Sequence, residues 1–234
     1  MQPLRRSAKA VAALKGALWV SMLLSSSSGV MAQNPWSSVM YGTDGTLLGA
    51  RGRETGAAPI RLDFEESRKG ATLLAVTRYG RGDDDVTIRR NYGTPGMLGV
   101  EYATGAQTIS LTAHQTSASG ELLIVYELPY EEAFSVWADS KGEIRSGDIR
   151  ELMEALRKPG AVPDLVRRYV EDRRPLRAHL PGVGEEVLLG PERRACEGDR
   201  LDFCAAECAW ECAHAICEMC RAVCHVGLRI ACGP

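Results

Sequence analysis

The sequence predicts an α+β protein: an antiparallel β-rich domain followed by two helices, then a small antiparallel helical hairpin rich in cysteine. Three observations predict it. Seven short β-type runs alternate with turn residues between Pro59 and Gly142, about ten residues apart. Helical periodicity takes over from Asp148 to Val170. All eight cysteines fall between Cys196 and Cys232, at intervals of 8, 4, 4, 5, 3, 4 and 8 that read nearly alike from either end.

Composition bounds the function. A 234-residue chain that is 45% hydrophobic can bury a core and is not disordered throughout. With 28 bases against 30 acids it has no general attraction to nucleic acid. Beyond the N-terminus no apolar run is long enough to span a bilayer as a helix.

Residues 1–32 read as an export signal. Arg5, Arg6, Lys9 and Lys15 form a positive n-region, Gly16 to Leu24 is a short apolar core, and Val30-Met31-Ala32 offers a cleavage point after Ala32. The apolar core is too short for a permanent anchor. No cysteine lies near the cleavage point to carry lipid, and Arg5-Arg6 lacks the apolar residues a twin-arginine signal wants, so the general export route is expected. Removing these residues leaves 202, with 24 bases against 30 acids. The expected product is acidic, secreted or periplasmic, without a stable membrane anchor, in an oxidising compartment where an even cysteine count reads as disulfides.

Residues 33–172 make the predicted β-rich domain with its two helices. The strand candidates are Ile60–Phe64, Thr72–Tyr79, Val86–Tyr92, Met97–Tyr102, Thr108–His114, Leu122–Leu128 and Phe134–Trp137, expected to form a sandwich or small open barrel. Alternation is clearest from Thr108 to Ala113, where one face is apolar. Asp148 and Glu151 form a predicted capping box before Leu152, Met153 and Leu156, and Pro159-Gly160 ends that helix. Pro163 suits the first turn of a second helix carrying Leu165, Val166, Tyr169 and Val170. Residues 173–195 hold Pro175, Pro181 and Pro191 with little periodicity and read as a linker, ending near the dibasic pair Arg193-Arg194.

Chemistry-bearing motifs are sparse in this half. Arg81-Gly82-Asp83 reads as a solvated glycine turn rather than an adhesion tripeptide. The segment Tyr130 to Ile149 resembles a degenerate EF-hand with Asp139 and Asp148 at ligand positions, but Trp137 and Lys141 stand where oxygen donors belong, so strand–loop–helix is expected. His114, His179, His214 and His225 are the only histidines; His114 is the one considered as a base, with a surface position the plainer reading. No nucleophile elbow, zinc-protease or phosphate-loop motif occurs, so no enzyme, catalytic residue or cofactor is expected. Five arginines from Arg167 to Arg177, interleaved with Asp164, Glu171 and Asp172, read as a solvated helix face.

Residues 196–234 carry the strongest signal. Paired from the outside inwards, the cysteines share a midpoint at residue 214 to within half a residue, as an antiparallel hairpin turning in Ala213-His214-Ala215-Ile216 requires. On one continuous helix Cys204, Cys208 and Cys212 would lie within about 80° of each other, with Cys217, Cys220 and Cys224 on the far side, too far apart for disulfides. The segment therefore folds into a hairpin, pairs with another chain, or keeps its thiols for metal.

Cys204-x3-Cys208 and Cys220-x3-Cys224 resemble the α-hairpinin scaffold, two antiparallel helices joined by nested disulfides. The resemblance implies Cys204 with Cys224 and Cys208 with Cys220; the shared midpoint adds Cys196 with Cys232 and Cys212 with Cys217. Members of that scaffold are antimicrobial peptides, toxins and protease inhibitors. The whole layout also resembles halocin-type bacteriocin precursors, an export signal and a leader or immunity portion before a Cys-rich peptide, with Arg193-Arg194 as release site. From Cys196 onward six acids face three bases, so a receptor-directed or hydrophobic bacteriocin is expected rather than a cationic membrane-lytic one. Its partner would be an unknown protein or cell-surface target, not nucleic acid. Alternatively, the cysteine spacing resembles the Cys-lined helices of exported copper-storage bundles, with Cys217, Cys220 and Cys224 as soft-metal thiolates for Cu(I) or zinc. A structural secreted protein with no separate effector is the third expectation.

Overall fold

The computed structural model describes residues 19–20, 34–53, 58–93, 96–105, 107–116, 120–189, 196 and 200–232. Its strands are β1 (Trp19–Val20), β2 (Trp36–Tyr41), β3 (Leu47–Arg53), β4 (Pro59–Lys69), β5 (Thr72–Arg81), β6 (Asp84–Gly93), β7 (Met97–Thr104), β8 (Thr108–Gln115), β9 (Leu122–Glu127), β10 (Phe134–Ala138) and β11 (Ile144–Gly147). They form one sheet in sequential order, each strand antiparallel to the next. All seven expected strands are present, most of them longer than expected; β1, β2, β3 and β11 were not expected. The sandwich alternative is corrected, since a sandwich needs two sheets. Among the described residues there is one sheet, and helices supply the layer that covers it.

Local sequence explains the meander. Gly70 and Gly82, at φ +60° and +64°, occupy the first central position of the two-residue turns after β4 and β5. That left-handed conformation matches the right-handed twist of the flanking strands and suits glycine. Alternation then sends every second side chain to one face. On β6 the inward set is Val86, Ile88, Arg90 and Tyr92; on β7 it is Leu98, Val100 and Tyr102; on β8 it is Ile109, Leu111 and Ala113.

The helical layer comprises α1 (Ile149–Arg157), α2 (Asp164–Arg173), a 3₁₀ turn (Arg174–Leu176), α3 (Glu185–Leu189), α4 (Arg200–Glu207), α5 (Ala209–Ala213) and α6 (Cys217–Cys232). The predicted capping box does not form: the Asp148 carboxylate accepts the Ser135 backbone N–H of β10 instead of capping α1. Pro163 sits one residue earlier than expected, at the N-cap of α2. The EF-hand alternative is also corrected. Phe134–Ala138 is strand, and Asp139 closes its own turn by accepting the N–H groups of Lys141 and Glu143.

The linker expectation fails over residues 173–189. Leu176, Leu180, Val183, Val187 and Leu188 are buried in the same core as the sheet. Pro175, Pro181 and weak periodicity mark a segment without long helices, but its apolar residues still pack. The hairpin joins that core through Trp210, Val223, Val226, Leu228 and Ile230. The remaining residues of 1–33, with Ala32, and Arg193-Arg194 lie outside the described residues; Trp19–Val20, inside the expected signal, pairs with Val39 and Met40.

Candidate functional site

Where hairpin, helices and sheet meet, charged side chains are sealed inside the protein. Strand alternation turns Arg90 and Tyr92 of β6 inward. One helical turn separates Tyr169 from Arg173 on the buried face of α2. Glu185 enters at the start of α3, and Glu207 and Glu211, four residues apart, enter from the hairpin. Arg90 and Glu211 are wholly inaccessible, and Arg173, Glu185 and Glu207 are nearly so.

Each arginine has a carboxylate. Arg90 Nη2 donates to Glu185 Oε1 and lies 3.4 Å from the Tyr102 hydroxyl, with its guanidinium 5.8 Å from the Tyr102 ring centroid. Arg173 Nη2 donates to Glu207 Oε2 and to the Gly182 carbonyl at 3.3 Å, and its Nε is 3.4 Å from Glu185 Oε1. Half-exposed Arg177 reaches Glu207 at 3.8 Å. Glu211 is held differently: its Oε1 accepts the Tyr92 hydroxyl at 2.9 Å and the Gly182 N–H at 3.0 Å. The Glu211 Oε2 atom has no hydrogen-bond partner among the described residues.

The sealed cluster thus sets two guanidinium groups against three carboxyls. Burial lowers Arg90, but the Glu185 carboxylate together with the nearby Tyr169, Tyr102 and Tyr92 outweighs it and holds the group charged. Burial pushes the Glu211 carboxyl up, only partly opposed by Arg90, and this favours its neutral form. Burial, reinforced by Glu211, likewise pushes the Tyr92 phenol up and keeps it a donor. Glycine permits the close approach: a Cβ on Gly182 would stand 2.4 Å from the Glu207 carbonyl oxygen, and one on Gly142 2.6 Å from that of Ala222.

The cysteines pair as Cys196–Cys232, Cys204–Cys224, Cys208–Cys220 and Cys212–Cys217, with Cα separations of 5.5, 5.7, 5.9 and 4.0 Å. These are the pairs given by the hairpin resemblance and the shared midpoint. No bridge reaches the sheet; all are internal to residues 196–232. The hairpin turns at His214-Ala215, where Ala215 takes φ +64° in the absence of a glycine. The alternative metal ligands Cys217, Cys220 and Cys224 belong to three different disulfides, which corrects their reading as a thiolate set. Among the described residues no group of three or more His, Cys, Asp or Glu side chains is placed to hold a metal ion.

The structure does not gather the other candidates. His114 is exposed at the end of β8. His179 meets Tyr41 edge-on, His214 stacks on Trp210 with its Nε2 3.3 Å from Glu66, and His225 lies beneath Gly142. Arg81 is not part of a fully solvated turn, since its Nη1 lies 3.9 Å from the buried Asp172 carboxylate that also accepts the Tyr79 hydroxyl. The solvated-face reading of Arg167 to Arg177 is corrected at Arg173, which is buried among carboxylates. Sequence reasoning missed Arg90, Glu185, Glu207 and Glu211 as site residues. One signal was available for Arg90: a charge at an inward position of the alternating run Val86-Thr87-Ile88-Arg89-Arg90-Asn91-Tyr92. Four disulfides fit an oxidising compartment, and no helix of the described residues is long and apolar enough to cross a membrane. No protein-family model, no curated protein and no solved structure matches the chain.

Proposed function

We propose that the protein is an exported, non-enzymatic carrier with a stapled effector. Residues 33–189 hold and neutralise a bacteriocin-like or toxin-like hairpin, residues 196–234, and cleavage at Arg193-Arg194 separates the two. The supporting observation is that all four disulfides lie within the hairpin and none ties it to the sheet. A module stapled to itself keeps its shape after the chain is cut, because its cross-links restrict its own unfolded state. The target is a protein or cell-surface component. The hairpin's acidic balance opposes simple attraction to anionic lipid.

Unreduced intact mass and growth inhibition together test this reading. Natively secreted material should contain a fragment beginning near Ala195 with eight unreactive cysteines, and that fragment should inhibit related cells. A secreted chain that stays whole, with all four disulfides and no inhibitory activity, would overturn it. That outcome favours a structural secreted protein, a second reading supported by the core shared between hairpin and sheet.

A further inference from the structure

The buried cluster divides along the chain in an informative way. Both carboxylates that the described part of residues 196–232 contributes to it, Glu207 and Glu211, meet a partner from the preceding part: Arg173, Arg177, Tyr92 or the Gly182 backbone. The two acids stand four residues apart across the junction of α4 and α5, and their partners come from β6, α2, Arg177 and the backbone before α3. Gly182 serves both, its carbonyl accepting from the Arg173 that binds Glu207 and its N–H donating to Glu211. A side chain there would strike the Glu207 backbone.

We propose that Tyr92, Arg173 and Gly182 form a recognition surface for two carboxyl groups four residues apart across the α4–α5 junction, and that its occupant is this chain's own residues 196–232, held without a covalent link once the backbone between Leu189 and Cys196 is opened. The two acids are read by different chemistry. Glu207 is read as a charge, because removing it leaves two buried guanidinium groups, Arg90 and Arg173, sharing the single Glu185 carboxylate. Glu211 is read as a hydrogen-bond acceptor, because its partners are a hydroxyl and an amide and no guanidinium bonds to it. Apolar contacts of Trp210 with Phe64 and Tyr92, at ring separations of 6.1 and 5.6 Å, add area beside this polar centre. The inference takes from the carrier reading only the statement that the chain is cut.

The test uses the full exported chain, oxidised, with a site-specific protease sequence inserted between Leu189 and Cys196. After cutting, the two parts should co-elute on size exclusion at micromolar concentration without denaturant. Glu207→Gln should weaken retention about a hundredfold or more, and Glu211→Gln should leave it unchanged or tighter. If the Glu207→Gln chain does not fold, Arg173→Lys keeps the charge and loses the planar fork, and should weaken retention about tenfold. Separation of the wild-type parts, full retention by Glu207→Gln or Arg173→Lys, or equal loosening by Glu211→Gln would each overturn the assignment. Co-elution of a hairpin with no growth inhibition would sink the effector reading and leave this one standing.

Discussion

Glu211 has a cost that depends on pH. Its carboxyl is pushed above the ordinary 4.5 by burial, so the folded state holds the proton more tightly than the unfolded chain. Its contribution is fully present below that ordinary value and is lost as pH rises through the elevated folded value. The surrounding groups are Arg90 and Tyr92 of β6, Arg173 of α2, Glu185 of α3 and Glu207 of α4, and none offers Glu211 a direct cationic hydrogen bond. Urea midpoints for wild type should therefore fall between pH 5 and pH 8 by more than those of Glu211→Gln; parallel curves would remove Glu211 as the cause. Gly182 and Ala215 are the complementary backbone cases. A methyl group at Gly182 meets the Glu207 carbonyl at 2.4 Å, so Gly182→Ala should cost about 1–3 kcal/mol by denaturant unfolding. Ala215 at φ +64° is in a region that costs non-glycine residues about 1 kcal/mol. Ala215→Gly should accordingly raise stability, by a fraction of that amount.

At the scale of elements, the strands were legible and their partners less so. Period-two alternation and glycine turns are local, so β4 to β10 can be read from their residues. β2 and β3 were harder: Ser37 and Ser38 in one, Gly49 and Gly52 in the other, dilute the β-type signal. The hairpin was legible for another reason. Its cysteine spacing encodes a fold point, and a disulfide restricts which residues can face each other. That geometry also ranks the bridges. Cys208–Cys220 closes a longer loop than Cys212–Cys217 and is fully buried at both ends. Replacing the inner pair by serines should lower the melting temperature less than replacing Cys208 and Cys220, whose removal should cost about 2–4 kcal/mol.

For the whole molecule, sheet, helices and hairpin share one core, so unfolding should be cooperative. Urea unfolding followed by tryptophan fluorescence and far-ultraviolet dichroism should give coincident single transitions, since Trp36 and Trp210 report on opposite ends of the chain and are both buried. Two separated transitions would show that the hairpin is an independent unit resting on the sheet. The sequence by itself determined the meander, the two helices, the crowding of cysteines and their symmetric spacing, because each is carried by near neighbours or by a repeating interval. Only the tertiary structure decided that residues 173–189 belong to the core, that Arg173 is buried, and that Arg90, Glu185, Glu207 and Glu211 converge. Burial of a charge is settled by which distant segment supplies the opposite charge, here β6 against α3 and α2 against α4, and no local pattern specifies that meeting.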